Sequence, residues 1–391
     1  MPARYIDVPK AVTGGGKVVV DLKGNINYNE DTIKRLNEQS IPYLPAWNKN
    51  EKYEPYEFVE YHDPALRADK SLPNLFPTDS KYEVSNISPK LGTEIKGIQL
   101  SQLNAAAKDE LALLAAQREV LVFRDQDFIS KGPEYVTDYV RHYGELHIHP
   151  TSGAPKNYPD IHSVLTGNTD EDPFQKRTNL VAYHSDVSYE LNPTAVSFLA
   201  VTNSPKEGGG DTVFSDNIEA YKRLSPLFRE KLDNLYAIHS AVDQANLSVS
   251  RGGVVKRLPV ESKHPIIRSH VATGQKILYV NKGFTRRIEG LKIEESDYLL
   301  NFLYDHVTKG LDFQIRVNWK PNTVVVFDNR IVSHSAILDF NSSDENARLI
   351  VRIAAKGERP VHDLEDLNKP DKSIVYEGPE YLGKRLEKLN I

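Results

Sequence analysis

The chain reads as a mainly β protein with α-helices: a double-stranded β-helix (jelly roll) core with helices packed outside it. Two observations predict this. Short apolar runs of strand length recur between residues 82 and 354, separated by turns rich in Gly, Pro, Asn and Asp. Between them, only a few longer stretches carry a helical period. No internal repeat or low-complexity block interrupts the pattern.

With 391 residues the chain can bury a large core. A net charge of −5 argues against a nucleic-acid partner, which would want a basic surface. The sequence has no cysteine, so histidines and carboxylates must do any metal work. No run approaches the ~18 apolar residues of a membrane span, and the N-terminus lacks the apolar centre of a signal peptide. The expectation is a soluble, cytoplasmic protein with no membrane partner.

Residues 1–80 alternate short apolar anchors with proline, as in Ile41-Pro42-Tyr43-Leu44-Pro45-Ala46-Trp47, and predict an extension wrapped on the main domain. They are also a candidate for contacts between copies of the chain. The main domain is expected over 81–360 and a tail over 361–391. Val84, Ile87, Leu91, Ile95 and Ile98 suggest a short strand pair, and 104–119 a helix with Leu111, Leu114 and Ala115 on one face. Residues 120–123 form a buried strand and 133–143 a second helix. The polar stretch 151–180 predicts a long loop that could act as a lid. Further strands are expected at 181–189, 195–201, 277–280, 313–319, 323–328 and 348–354, with helices over 217–234 (broken near Pro226) and 294–308. Residues 243–262 read as loop.

Candidate chemistry starts in Val181-Ala182-Tyr183-His184-Ser185-Asp186-Val187-Ser188-Tyr189. The alternation puts His184 and Asp186 on one strand face, where an imidazole and a carboxylate can share a metal ion. They would be two thirds of the facial triad that holds non-heme Fe(II). A solvated strand face would carry the same two residues with no metal. Downstream, His334 follows a buried strand. Arg348 and Arg352 share one face of an apolar strand, roughly 13 Å apart. Buried arginines need anions, and that spacing suits two separate ones.

Taken together, His184-x-Asp186, His334, Arg348 and Arg352 resemble the Fe(II)/2-oxoglutarate-dependent taurine dioxygenase (TauD/TfdA) family, in its sulfonate and alkylsulfate branch. Further segments carry the likeness in order: Phe123-Arg124-Asp125-Gln126, Gly144-Glu145-Leu146-His147-Ile148-His149-Pro150, Gly209-Gly210-Asp211-Thr212, Asn281-x-Gly283-Phe284-Thr285 and Trp319-x-Pro321-Asn322. It covers about 82–357. The resemblance implies the same fold, Fe(II) held by His184, Asp186 and His334, and 2-oxoglutarate and O₂ as co-substrates. It implies Arg348 and Thr212 on the distal carboxylate of 2-oxoglutarate, and Arg352, His149 and Phe284 around the substrate. The implied reaction hydroxylates the carbon next to a sulfonate or sulfate, releasing sulfite or sulfate and an aldehyde.

The sequence departs from the taurine pattern at three places. An aromatic is missing near Thr151-Ser152-Gly153, a second near Gln244-Ala245, and Leu180 replaces an asparagine. These departures predict a roomier, less polar pocket and a larger sulfonate or a sulfate ester. A carboxylate or purine substrate would also satisfy Arg352. A non-catalytic metal-binding β-helix would explain the fold, but not the full set of residues.

Overall fold

The computed structural model describes residues 4–5, 18–20, 25–28, 30–34, 36–48, 50–166, 178, 182–205, 208–250, 253–340 and 348–369. The apolar run at 195–201 becomes the strand Thr194–Asn203, with its two faces buried in different layers. Val196, Phe198 and Ala200 pack with Leu111 and Leu114 of the helix Ala105–Arg118 and with Val136 and Val140 of the helix Pro133–Val140. Leu199 and Val201 meet Phe214, Ile315 and Val332 on the other side. A strand covered on both faces needs no polar alternation, which is why this run shows none.

This strand lies inside a seven-stranded sheet. The order is Glu83–Asn86, Thr93–Lys96, Val120–Phe123, Val324–Asp328, Thr194–Asn203, Arg348–Lys356 and Ile161–Thr166. All neighbours are antiparallel except Thr93–Lys96 with Val120–Phe123. A three-stranded sheet, Gln314–Val317, Thr212–Asp216 and Val332–Ala336, forms the facing layer. The result is the expected jelly-roll core with open sheet edges and helices outside. No described helix is long and apolar enough to cross a membrane.

Three local expectations are corrected. Within the expected lid loop, Ile161–Thr166 is the edge strand of the main sheet, paired with Arg348–Lys356; Leu180 and most of 167–181 lie outside the described residues. Within 243–262, Val242–Ser250 is a helix and Glu261–Pro265 a strand. The helix buries only Val242 and Ala245, so its polar remainder masked the period. The strand expected at 181–189 shrinks to a bridge at His184. Beyond it the chain turns, because Ser185 Oγ donates to the Val332 carbonyl and Asp186 N to Asn329 Oδ1 instead of joining a ladder. Val187, a β-branched residue, adopts φ +47°, a conformation that costs about 1–3 kcal/mol and tends to persist next to functional groups.

Residues 36–80 lie against this core. Tyr43 and Trp47 are buried within its largest apolar cluster, Tyr43 donates its hydroxyl to the Ile129 carbonyl at 2.7 Å, and Ala46 and Ala154 exchange backbone bonds of 2.8 and 3.2 Å. Asp63 enters a buried ionic network. Arg330 Nη1 bonds Asp63 Oδ2 at 2.5 Å and Glu358 Oε2 at 3.0 Å, while its Nε and Nη2 bond the two oxygens of Asp328 at 2.8 and 2.6 Å. His270 Nε2 lies 3.0 Å from Asp328, and Arg268 donates to Glu358 at 2.5 Å.

Candidate active site

His184 and His334 are 150 residues apart, yet they face each other across an antiparallel bridge. His184 N donates to the His334 carbonyl at 3.0 Å, and His334 N returns the bond at 2.8 Å. This backbone pairing brings the ring centroids to 4.5 Å. Asp186 enters from the turn that follows, clamped by Asn329. The Asn329 amide accepts from Asp186 N at 2.7 Å and donates to its carbonyl at 3.0 Å. Gly283 leaves room beside the ring, since a Cβ there would stand 3.1 Å from His184 Cβ.

Among the described residues, His184, Asp186 and His334 are the group whose ligand atoms could hold a metal, all within 4.8 Å of one another. The donor set fits Fe(II). His184 Nδ1 lies 2.8 Å from the Ala182 carbonyl, so its proton sits there and Nε2 is left as a lone pair, 3.5 Å from Asp186 Oδ1. His334 Nε2 is 3.7 Å from Asp186 Oδ2. That Oδ2 is buried and has no hydrogen-bond partner among the described residues, a costly state for a carboxylate unless a cation supplies one. Burial pulls the His334 imidazole down to about 3 and so keeps it a neutral ligand. Burial also opposes a charged His184, but the Asp186 carboxylate overcomes it and raises that pKa. Asp186 is likewise penalised by burial, yet Arg352, His334 and His184 hold its carboxyl well below the usual range. Two nitrogens and one oxygen in this arrangement match a facial triad.

Arg348 begins the strand Arg348–Lys356 and is buried, with its Nε and Nη2 unpartnered among the described residues. The nearby acids are already committed. Arg316 binds Asp211 Oδ2 at 2.5 Å and Asp339 Oδ2 at 2.7 Å. Burial pulls the Arg348 guanidinium down to about 10, against the pull of those two acids. Gly210 packs on its stem, at φ +68° and with space for a Cβ only 3.0 Å from Arg348 Cδ. Thr212 is buried two residues further on and accepts the Trp319 indole N–H at 3.3 Å, so its own hydroxyl hydrogen remains available to donate. A buried guanidinium unsatisfied among the described residues fits a carboxylate such as the distal one of 2-oxoglutarate, and the Thr212 hydroxyl, two residues after the Gly210 that packs on Arg348, offers a further donor.

Arg352 lies against the candidate metal ligands. Its Nη1 is paired with Asp186 Oδ1, while its Nε has no partner among the described residues. His149 stacks on His162 at 4.3 Å, and His162 lies directly across from Arg352 in the strand register. The His149 Nδ1 accepts the N–H groups of Thr151 and Ser152 at 3.2 and 3.1 Å, which puts its proton on Nε2. Burial, and then neighbouring His162 and Arg352, push His149 well below the ordinary histidine value, so it is a neutral donor. Phe284 is buried against Tyr189 at 4.9 Å and edges His184 at 6.0 Å.

Three residues of this constellation escaped the sequence reading. His162 sits in Ile161-His162-Ser163-Val164-Leu165-Thr166, whose alternation was a strand signal inside a polar stretch. Asn329 was visible only as a turn residue. Tyr189, whose hydroxyl donates to Gln244 at 2.8 Å, carried no signal beyond its aromatic character.

Comparison with known proteins agrees with this geometry. The taurine catabolism dioxygenase TauD, TfdA family pattern matches residues 83–354. An alpha-ketoglutarate-dependent sulfonate dioxygenase of Saccharomyces cerevisiae is 49% identical over 331 residues, covering 83% of this chain and 80% of that one. An alpha-ketoglutarate-dependent sulfate ester dioxygenase of Pseudomonas putida is 29% identical, covering 73% and 93%. The crystal structure of a putative taurine dioxygenase from Burkholderia xenovorans superposes with a TM-score of 0.58 at 28% identity, over 72% of this chain and 94% of that one. The chain belongs to the taurine catabolism dioxygenase TauD, TfdA family.

Proposed function

We propose that this enzyme hydroxylates the carbon bearing a sulfonate or sulfate-ester group, with His184, Asp186 and His334 as iron ligands. Like its family, it is an oxidoreductase that uses Fe(II), 2-oxoglutarate and O₂. Bound at this site, iron and 2-oxoglutarate supply the oxidant for C–H hydroxylation. In the net reaction, substrate, 2-oxoglutarate and O₂ yield aldehyde, sulfite or sulfate, succinate and CO₂. Arg348 and Thr212 orient the co-substrate through its distal carboxylate. Arg352 and the Nε2–H of His149 receive the substrate anion, and Phe284 walls the reacting carbon from water.

The observation that carries this reading is Arg348. A buried guanidinium whose Nε and Nη2 have no partner among the described residues, on the same strand face as an arginine touching the Asp186 carboxylate, calls for an anionic ligand. The high identity to a sulfonate dioxygenase supports a sulfur oxyanion as substrate. The division into an extension over 1–80, a catalytic domain over 81–360 and a tail over 361–391 belongs to the same proposal, supported by the burial of Tyr43 and Trp47 in the main core.

The test measures sulfite or sulfate release and 2-oxoglutarate consumption over a panel of alkyl sulfonates, alkyl sulfate esters and carboxylates. Larger sulfonates and sulfate esters should lead, taurine should follow, and carboxylates should come last. A carboxylate or purine that outperforms every sulfur compound overturns the substrate assignment. Anaerobic addition of Fe(II) and 2-oxoglutarate should give a visible charge-transfer band that His184→Ala abolishes; an unchanged band in that variant removes His184 from the iron site.

A further inference from the structure

We infer that the N-terminal extension completes the substrate site through Trp47, which forms a wall of a subsite for the substrate's uncharged organic tail. The inference rests on the proposed anionic headgroup at Arg352 and names what lies beyond it. A cavity of about 230 Å³ is lined by Trp47, Thr151, Val164, Gln244, Leu247 and Ser248, among others.

Three separate contacts place this cavity beside the reacting centre. Thr151 and Ser152 on its wall are the residues whose N–H groups hold His149 Nδ1. Val164 lies across the strand pair from Ile350, the residue between Arg348 and Arg352 on their face. Gln244 accepts the Tyr189 hydroxyl, and the Tyr189 ring edges Phe284, which edges His184. The cavity thus adjoins the headgroup end of the site at His149 and Phe284.

Trp47 is fixed there by the chain on both sides. The Ala46–Ala154 backbone bonds tie the two segments together. Gly153 fits beneath them only because it has no side chain, since a Cβ would stand 2.6 Å from Pro45 Cβ and 2.8 Å from the Trp47 ring. The aromatic absent from the segment after His149 is therefore supplied by the N-terminal arm. Among the described residues, none that lines the cavity is charged; Trp47, Val164, Leu165 and Leu247 form its apolar part, beside serine and threonine hydroxyls and the Gln244 amide. An ammonium tail would lose its water there without gaining a carboxylate, whereas an alkyl or aryl tail gains by burial against the indole and Leu247.

The experiment compares kcat/KM for ethane-, butane- and hexanesulfonate, and for carboxylates with the same tails, in the full chain, in Trp47→Ala and in Leu247→Trp. Leu247 is 48% exposed, so filling the cavity from that side does not disturb the core. Each ratio comes from one preparation, which cancels any loss of folded protein. The ratio of hexyl to ethyl substrate should fall about tenfold or more in both variants, the scale of losing a methylene's worth of pocket contact or more. Trp47 emission, isolated by difference from Trp47→Phe, should change with hexanesulfonate and not with ethanesulfonate. Ratios within about twofold of the parent in both variants would falsify the tail subsite. If only the carboxylate series turns over, the sulfur reading fails, and the tail ratio on that series still decides this proposal.

Discussion

Arg330 and Arg348 are equally buried, each about 1% exposed, and they are opposites in every other respect. Arg330 spends its guanidinium entirely on Asp328, Asp63 and Glu358. Among the described residues, Arg348 keeps two nitrogens unpaired, and the acids near it, Asp211 and Asp339, are taken by Arg316. A protein that merely needed charge balance would treat both alike. The contrast separates a cation that holds the fold from one reserved for a ligand, and burial alone could not have told them apart.

The largest effect should come from breaking the satisfied member. Arg330→Met leaves Asp328, Asp63 and Glu358 buried without their partner and should cost about 3–5 kcal/mol in denaturant unfolding; a loss below about 1 kcal/mol would show that the network is not structural. Arg348→Met should do the reverse. Its unfolding free energy should stay level or rise, while the 2-oxoglutarate requirement rises by about two to three orders of magnitude. Equal destabilisation in both variants would erase the distinction.

The buried histidines sharpen the contrast through pH. Burial lowers His147 to about 4, and His239 lies well below its ordinary value for the same reason. The unfolded chain then binds protons that the native one does not, so stability is complete above about pH 6.5 and falls as pH drops toward 4. One such histidine accounts for about 2 kcal/mol between pH 6.5 and 5. His147→Gln should flatten the slope in that window by close to one proton, read from unfolding curves at several pH values. A slope unchanged by the substitution would mean that other groups carry it. The carboxylates of Asp186 and Asp328, held low by their cationic neighbours, matter only at more acidic pH. The smallest effect is expected for Gly210→Ala. A side chain at positive φ costs about 1 kcal/mol and presses on Arg348, so a modest rise in the 2-oxoglutarate requirement should accompany a small stability loss. An unchanged requirement would detach Gly210 from the arginine's placement.

What could be read from the sequence follows from where the information is local. The nearness of His184 and Asp186, two of the three candidate metal ligands, was legible from spacing, although the strand assumed for them is a bridge and a turn. The doubly buried strand at 195–201 was legible because a run with Ser197 as its one polar residue allows few alternatives. The helix Val242–Ser250 was not, because only Val242 and Ala245 of its residues are buried and its surface composition resembles a loop. The pairing of Arg352 with Asp186, and the arrival of Trp47 over Gly153, depend on segments far apart in the chain. No local pattern encodes such meetings.

The sheet order also sets a schedule for biosynthesis. The apolar strand Thr194–Asn203 pairs with Val324–Asp328 on one side and Arg348–Lys356 on the other, so neither neighbour exists when it leaves the ribosome. At roughly 5–20 residues per second, the last of them follows it by roughly ten to thirty seconds. During that interval a strand with a mainly apolar centre waits with both edges open, the condition under which nascent chains aggregate or engage chaperones. Asp63 waits longer still, since Arg330 and Glu358 are both late arrivals. The first part of the chain to be made can be among the last to settle.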